Sequence, residues 1–285
     1  MLERNSSPGT ELDQDAYEQE RMENVHPAEW RNPTPAGRYN LVVVGGGPAG
    51  LVAASAAADM GAKVALVERA LLGGGCLNVG CIPSKAIIRT SRLYAEMRNA
   101  ERYGAHVPGD IRDDFAAVMQ RMRRIRTRVS RVDSVQRLSA TGVDVFLGEA
   151  HFTGADALSV DGTKLRFRKA IVATGARPDT PSLPGLVEAG YLTNENVFDL
   201  TELPRRLLVI GGGPLGCELA QAFCRFGAQT TIAQSAAAVS AQGRTRRRAT
   251  SCGCFCARWD RGKAQYRSRQ GTHRRRPEIR RSRQR

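Results

Sequence analysis

At 285 residues the chain can hold one large domain or two ordinary ones, and 41% hydrophobic against 25% charged residues fits neither wholesale disorder nor a membrane bundle. The formal charge of +15 is localised: residues 236–285 hold 16 Lys+Arg against 2 acids, whereas residues 1–235 hold 27 against 26. Basicity thus describes a tail whose strongly apolar aliphatic or Phe residues (Val239, Phe255 and Ile279) are too few to pack a core.

Residues 1–39 read as a polar arm with a short helix over 12–25, ended by the proline-rich stretch 32–35. Its 8 acids and 4 arginines, with no apolar run, are the reverse of a signal or transit peptide. The uncharged run 41–58 carries Gly45, Gly46, Gly47, Pro48 and Gly50, so it reads as strand, turn and small-residue helix, not as a membrane span. The body is expected to be cytoplasmic. A strand over 41–44, a helix over 49–60 stopped by Gly61, and a strand over 64–67 ending at Glu68 make the unit of a parallel sheet.

A helix follows over 84–100, with Ile87, Ile88, Leu93, Tyr94 and Met97 on one face. A second runs over 115–138, with Phe115, Val118, Met119, Met122, Ile125, Val129 and Val132 at spacings of three and four. Its arginines (Arg121, Arg123, Arg124, Arg126, Arg128, Arg131) read as a solvated face. Strands are expected over 143–147, 157–160, 164–167 and 169–174, with Asp161-Gly162 as a two-residue hairpin turn. After a proline-rich connection (Pro178, Pro181, Pro184), the strand–glycine–helix signal recurs over 207–226.

Gly45-Gly46-Gly47-Pro48-Ala49-Gly50 matches G-x-G-x-x-G directly after a strand. Glycine there permits a tight turn and close backbone approach to a pyrophosphate at a helix N-terminus. Glu68, 23 residues beyond Gly45, stands where a carboxylate can accept ribose hydroxyls. The second set, Gly211-Gly212-Gly213-Pro214-Leu215-Gly216, leads to Gln234 instead of an acid, which leaves NADPH as well as NADH open. Two such units imply two dinucleotides.

Gly73 to Lys85 reads G-G-G-C-L-N-V-G-C-I-P-S-K. Cys76 and Cys81 can close a ring too small to remove much unfolded-state entropy, which makes a poor staple and a good redox pair. At a helix start, Cys81 would have its thiolate favoured by the helix dipole. Two buried free thiols and half of a zinc site are the alternatives, and the body offers no second pair with metal spacing.

These residues resemble the FAD-dependent pyridine nucleotide–disulfide oxidoreductases, the group of dihydrolipoamide dehydrogenase, glutathione reductase and mercuric reductase. The G-G-x-C-L-N-V-G-C-I-P-S-K stretch carries the resemblance, joined by Ala173-Thr174-Gly175, and it covers about residues 38–235. The N-P-T-P-A-G-R-Y arm (32–39) is most similar to a mercuric-reductase-like bacterial branch. The resemblance implies an α/β fold: a doubly wound, Rossmann-like FAD-binding domain (40–200) followed by the start of an NAD(P)-binding one (201–235). Gly45, Gly47, Gly50, Glu68, Thr174 and Gly175 would serve FAD, and Gly211, Gly213 and Gly216 would serve NADPH or NADH. Cys81 would be the charge-transfer thiol and Cys76 the interchange thiol. Lys85 would lie near the flavin with Glu218 as its ion-pair partner. Electrons would pass from NAD(P)H through FAD and the cysteine pair to a small disulfide or thiol-bound Hg(II), in a homodimer.

The family's later ribityl-contacting G-D motif and its C-terminal His-Glu acid–base pair have no counterpart here. From about residue 236 the sequence reads as a frameshifted or truncated end, so the 285-residue chain is expected to be inactive. The rival reading is an inactive dinucleotide-binding fragment whose basic tail binds nucleic acid through phosphate charge.

Overall fold

The computed structural model describes residues 14–35, 37–107, 109, 111, 114–234, 255–260 and 263–267. The arm supplies helix α1 (Gln14–Val25) and leads into β1 (Arg38–Val44), α2 (Pro48–Asp59) and β2 (Val64–Glu68). β1 lies parallel to β2, in the register Leu41↔Val64 to Val44↔Val67. The uninterrupted apolar runs of both strands follow from burial on two faces. Val43, Val64 and Leu66 belong to one cluster with Ala54 of α2 and Val25 of α1. Tyr39, Val42, Ala65 and Val67 belong to another.

The expected redox turn is itself a short helix, α3 (Gly74–Val79), and Gly80 separates it from α4 (Cys81–Arg98). The helix expected over 115–138 is broken. α5 (Phe115–Ser130) ends four residues before Ser134 caps α6 (Val135–Ala140) by accepting from the Arg137 amide at 3.2 Å. Ser134 competes for the backbone as an N-cap, which favours a new helix start over continuation. Val132 lies in the break and is exposed, although its spacing placed it on the apolar face.

The solvated-face reading of the α5 arginines also needs correction. Arg123 and Arg126 are 6% and 4% exposed, because α1 and the 198–200 segment cover that side of the helix. Periodicity identified the apolar stripe but not a second stripe of charge answered by distant partners.

β3 (Val143–Leu147) adds parallel to β2, and β4 (Ala150–Gly154), not expected from the sequence, pairs antiparallel with β5 (Ala157–Val160). The two strands expected over 164–174 are one, β6 (Thr163–Val172). Its first residues pair antiparallel with β5 around Asp161-Gly162, whose φ angles of 45° and 86° suit the expected two-residue turn. Most of its length pairs parallel with β1. The sheet order is therefore β3-β2-β1-β6-β5-β4.

The short helix α7 (Leu186–Ala189) lies in the connection to β7 (Arg206–Ile210), α8 (Pro214–Arg225) and β8 (Gln229–Gln234), and β7 and β8 are parallel. The rings of Phe223 in α8 and of the adjacent Phe226 meet that of Phe115 tilted and edge-on, with centroids 5.7 and 5.9 Å away. With Ile87, Met119 and Met122 they form one buried cluster, which seats α8 against α4 and α5. Two stretches of the tail, expected to lack order, are strands: β9 (Phe255–Asp260) pairs with β8, and β10 (Lys263–Arg267) pairs with β9. Backbone pairing at an open sheet edge asks little of side chains. The rest of the tail, with the frameshift and nucleic-acid readings, lies outside the described residues. Among the described residues no helix is long and apolar enough to cross a membrane.

Candidate functional site

The first glycine turn is fixed from three sides. The Gly45 amide donates to Val67 O at 2.8 Å, and Ala173 N donates to Val44 O at 2.7 Å, so β2 and β6 hold the turn. Gly45 has φ 109°, and a Cβ there would collide with the Ala173 carbonyl. A Cβ on Gly50 would strike Gly45 O, so the turn packs backbone on backbone. Gly47 caps α2 in an extended conformation, with Pro48 in the first turn. Such a helix start presents amides and the positive end of the dipole to an anion.

Glu68 closes β2 with its carboxylate accepting from the amides of Gly46 (2.6 Å) and Ala70 (2.8 Å). It borders a cavity of about 350 Å³ together with Gly45, Arg69, Thr174, Gly175 and Arg177. The turn, the helix start and this cavity suit an adenosine with its pyrophosphate, so the residues present fit a dinucleotide such as FAD. Gly46 also contributes: a Cβ there would lie 2.6 Å from Leu72 Cδ1. Position 46 counts as free in G-x-G-x-x-G, so the motif did not reveal this constraint.

The segment that carries Cys76 and Cys81 packs directly on that turn. The Gly73 amide donates to Gly46 O at 2.8 Å, and a Cβ on Gly74 would sit 2.6 Å from Gly47 Cα. Cys76 lies within α3 and is partly buried, whereas Cys81 is the first residue of α4 and is exposed; both are free thiols. Burial pushes the Cys76 thiol up to about 11, and the hydrogen bond and negative charge of Cys81 add to the rise. The Cys81 backbone amide opposes it, and Asp133 adds a smaller repulsion.

A polar cluster behind α3 was not legible from motifs. Asn78, between the two cysteines, is 4% exposed and donates through Nδ2 to Leu72 O (3.0 Å) and Gly74 O (2.9 Å). Its Oδ1 accepts from Arg21 Nη1, and its backbone oxygen accepts from Arg126 Nη1 at 3.0 Å. Glu18 accepts from Arg126 Nη2 at 2.9 Å and from Arg21 Nε at 3.1 Å. Burial pushes Glu18 up, but the Arg21 hydrogen bond and the charges of Arg126 and Arg21 outweigh it and hold the carboxyl below its ordinary value.

The second glycine turn repeats the first. The Gly211 amide donates to Ala233 O at 2.8 Å, Gly213 caps α8, and a Cβ on Gly216 would lie 2.6 Å from Gly211 O. The α4–α8 contact brings Lys85 Nζ within 2.6 Å of Glu218 Oε2. Cys76, Cys81 and Lys85 therefore lie on α3 and α4, which adjoin the first turn, and Glu218 reaches Lys85 from α8.

A family profile described as pyridine nucleotide-disulphide oxidoreductase matches residues 39–249. A mercuric reductase from Lysinibacillus sphaericus is 31% identical over 224 residues, covering 78% of this chain and 41% of the relative. A dihydrolipoyl dehydrogenase from Zymomonas mobilis is 39% identical over 211 residues, covering 70% and 44%. Among solved structures, a mutant of the HOCl-induced flavoprotein disulfide reductase RclA from Escherichia coli, in its Cu(II) complex, superposes with a TM-score of 0.61 at 28% identity. That superposition covers 72% of this chain and 44% of the other. The chain spans about half the length of the relatives it matches. With that family profile spanning most of the chain, one conclusion follows: the chain belongs to the pyridine nucleotide-disulphide oxidoreductase family.

Proposed function

We infer that this chain supplies the flavin site and the dithiol of a disulfide reductase that takes electrons from NADPH or NADH. The observation that supports this reading is the contact of the cysteine-bearing segment with the first glycine turn, made by Gly73 on Gly46 and by Gly74 on Gly47. Gly45, Gly47, Gly50, Glu68, Thr174 and Gly175 would hold the adenosine and pyrophosphate of FAD. Gly211, Gly213 and Gly216 would hold the nicotinamide dinucleotide. When bound, the flavin supplies the conversion of a hydride into an electron pair deliverable to sulfur.

The protein's own residues then divide the work. Cys81, exposed as the first residue of an 18-residue helix, would be the thiol that meets the flavin. Cys76, whose thiol is pushed up to about 11, keeps the proton. With a disulfide substrate, Cys76 would lose its proton as it attacks and would form a mixed disulfide, Cys81 would resolve it, and the substrate would leave as a dithiol. For a disulfide the net reaction is NAD(P)H + H⁺ + disulfide giving NAD(P)⁺ and dithiol; for thiol-bound Hg(II), Hg(SR)₂, it is NAD(P)H + H⁺ + Hg(SR)₂ giving NAD(P)⁺, Hg(0) and two RSH. Lys85, paired with Glu218, presents a cation beside the redox helix.

Thiol-bound Hg(II) is the substrate favoured by the 32–39 arm, and a lipoamide-type disulfide is the second reading, supported by the dihydrolipoyl dehydrogenase relatives. Purified chain should bind FAD and form a two-electron Cys76–Cys81 couple. Failure of both would sink the reading. Rates of NAD(P)H oxidation with Hg(II)-thiolate and with lipoamide, in a protein extended to the relatives' length, would separate the substrates.

A further inference from the structure

We propose that Glu18, Arg21 and Arg126 are positioning residues that act through Asn78, so that the amino-terminal helix α1 sets the geometry of the Cys76–Cys81 pair. The inference rests on the redox reading above. α3 has six residues, too few to be stable by its own hydrogen bonds, so its shape must be imposed from outside. The imposing contacts converge on Asn78, two residues after Cys76 and three before Cys81. Its amide group ties α3 back to Leu72 O and Gly74 O, Arg21 holds the side-chain oxygen, and Arg126 takes the backbone carbonyl near the helix end.

Both guanidiniums are buried, and Glu18 is the carboxylate that joins them. Arg126 Nε and Arg123 Nη1 lack hydrogen-bond partners among the described residues. A buried, incompletely satisfied ion cluster is a poor source of net stability, since desolvation offsets much of the attraction. Its merit is geometric: two fork-shaped donors hold Asn78 from different elements, and α1 arrives from 57 residues earlier in the chain. Without Glu18, two buried cations face each other without an anion between them. The 76–81 segment then loses its fixed geometry, and the two thiols lose their proximity.

The test equilibrates the full chain with mixtures of oxidised and reduced dithiothreitol, traps thiols by alkylation, and reads the Cys76 and Cys81 peptides by mass. In the exchange, Cys76 and Cys81 give up two protons and two electrons to oxidised dithiothreitol, which becomes the dithiol. Glu18→Gln should move the equilibrium toward the protein dithiol by roughly tenfold, a potential shift of about 30 mV for a two-electron couple. Glu20→Gln removes the exposed Arg131 pair from the same helix without touching Asn78, and should leave the equilibrium unchanged. Arg21→Met should reproduce the E18Q shift, and Arg21→Lys should recover part of it. If E18Q does not fold, the R21M–R21K comparison decides by the same criterion. A wild-type couple with equal equilibria in E18Q and E20Q, or in R21M and R21K, overturns the proposal alone. Absence of any Cys76–Cys81 disulfide in the unaltered chain removes the redox reading and the proposal together.

Discussion

Replacing Gly74 by alanine probes the contact on which the functional reading depends. Gly74 has φ 56°, and an added Cβ would lie 2.6 Å from Gly47 Cα, a backbone atom of the first glycine turn. Gly61 is the matched control, with φ 81° and nothing within 4 Å of the added carbon. Both substitutions incur the left-handed backbone cost of about 1–2 kcal/mol. Both also gain about 0.4–1 kcal/mol by restricting the unfolded chain. Only G74A adds overpacking, typically about 1–3 kcal/mol where backbone must yield. The difference between the variants isolates the α3–turn contact.

Urea denaturation should therefore place G74A about 1–3 kcal/mol below G61A. Relief comes by displacing α3 from the turn, so FAD affinity should fall by about tenfold or more in G74A, equivalent to about 1.4 kcal/mol. G61A, at the far end of α2, should bind FAD like the unaltered chain. Flavin fluorescence titration reads this directly. If the two variants unfold within about 0.5 kcal/mol of each other and bind FAD equally, the proposed seating of α3 on the turn is wrong.

In the reduced chain at pH 8, iodoacetamide should modify Cys81 ahead of Cys76, because Cys81 is exposed and the Cys76 thiol is held up near about 11; faster loss of Cys76 in peptide maps would contradict this. Asp133→Asn should speed Cys76 alkylation, since burial keeps that carboxyl above its ordinary value and its charge opposes the Cys76 thiolate. Glu18 has a lowered folded value, so its stabilisation is present above the unfolded value of 4.5 and is lost as pH falls through the folded one. The acid limb of a Tm–pH profile should therefore flatten in E18Q, and an unchanged limb would count against the Glu18 pairing. Lys85→Met should cost no more than about 1 kcal/mol in stability, because the Lys85–Glu218 pair is largely exposed. A greater loss in denaturation would show a buried role.

The strands and glycine turns were legible in the sequence because their determinants are local. The apolar runs 41–44 and 207–210, each followed directly by a glycine (Gly45 and Gly211), and the Asp161-Gly162 turn specify backbone shapes within a few residues. Partners at long range were not legible in the same way. The α5 pattern showed Phe115, Val118, Met119 and Met122 facing a core, but could not show that Arg123 and Arg126 are covered on another side by α1 and the 198–200 segment. A charged residue reads as exposed until its counter-charge is located, and Glu18 is 108 residues away from Arg126. The motif likewise marked Cys76 and Cys81, while Asn78 between them became meaningful only when two arginines from separate helices met it. Local chemistry was determined by the sequence itself; which buried polar groups satisfy one another was decided by tertiary packing, because desolvated charges must find partners wherever the fold brings them.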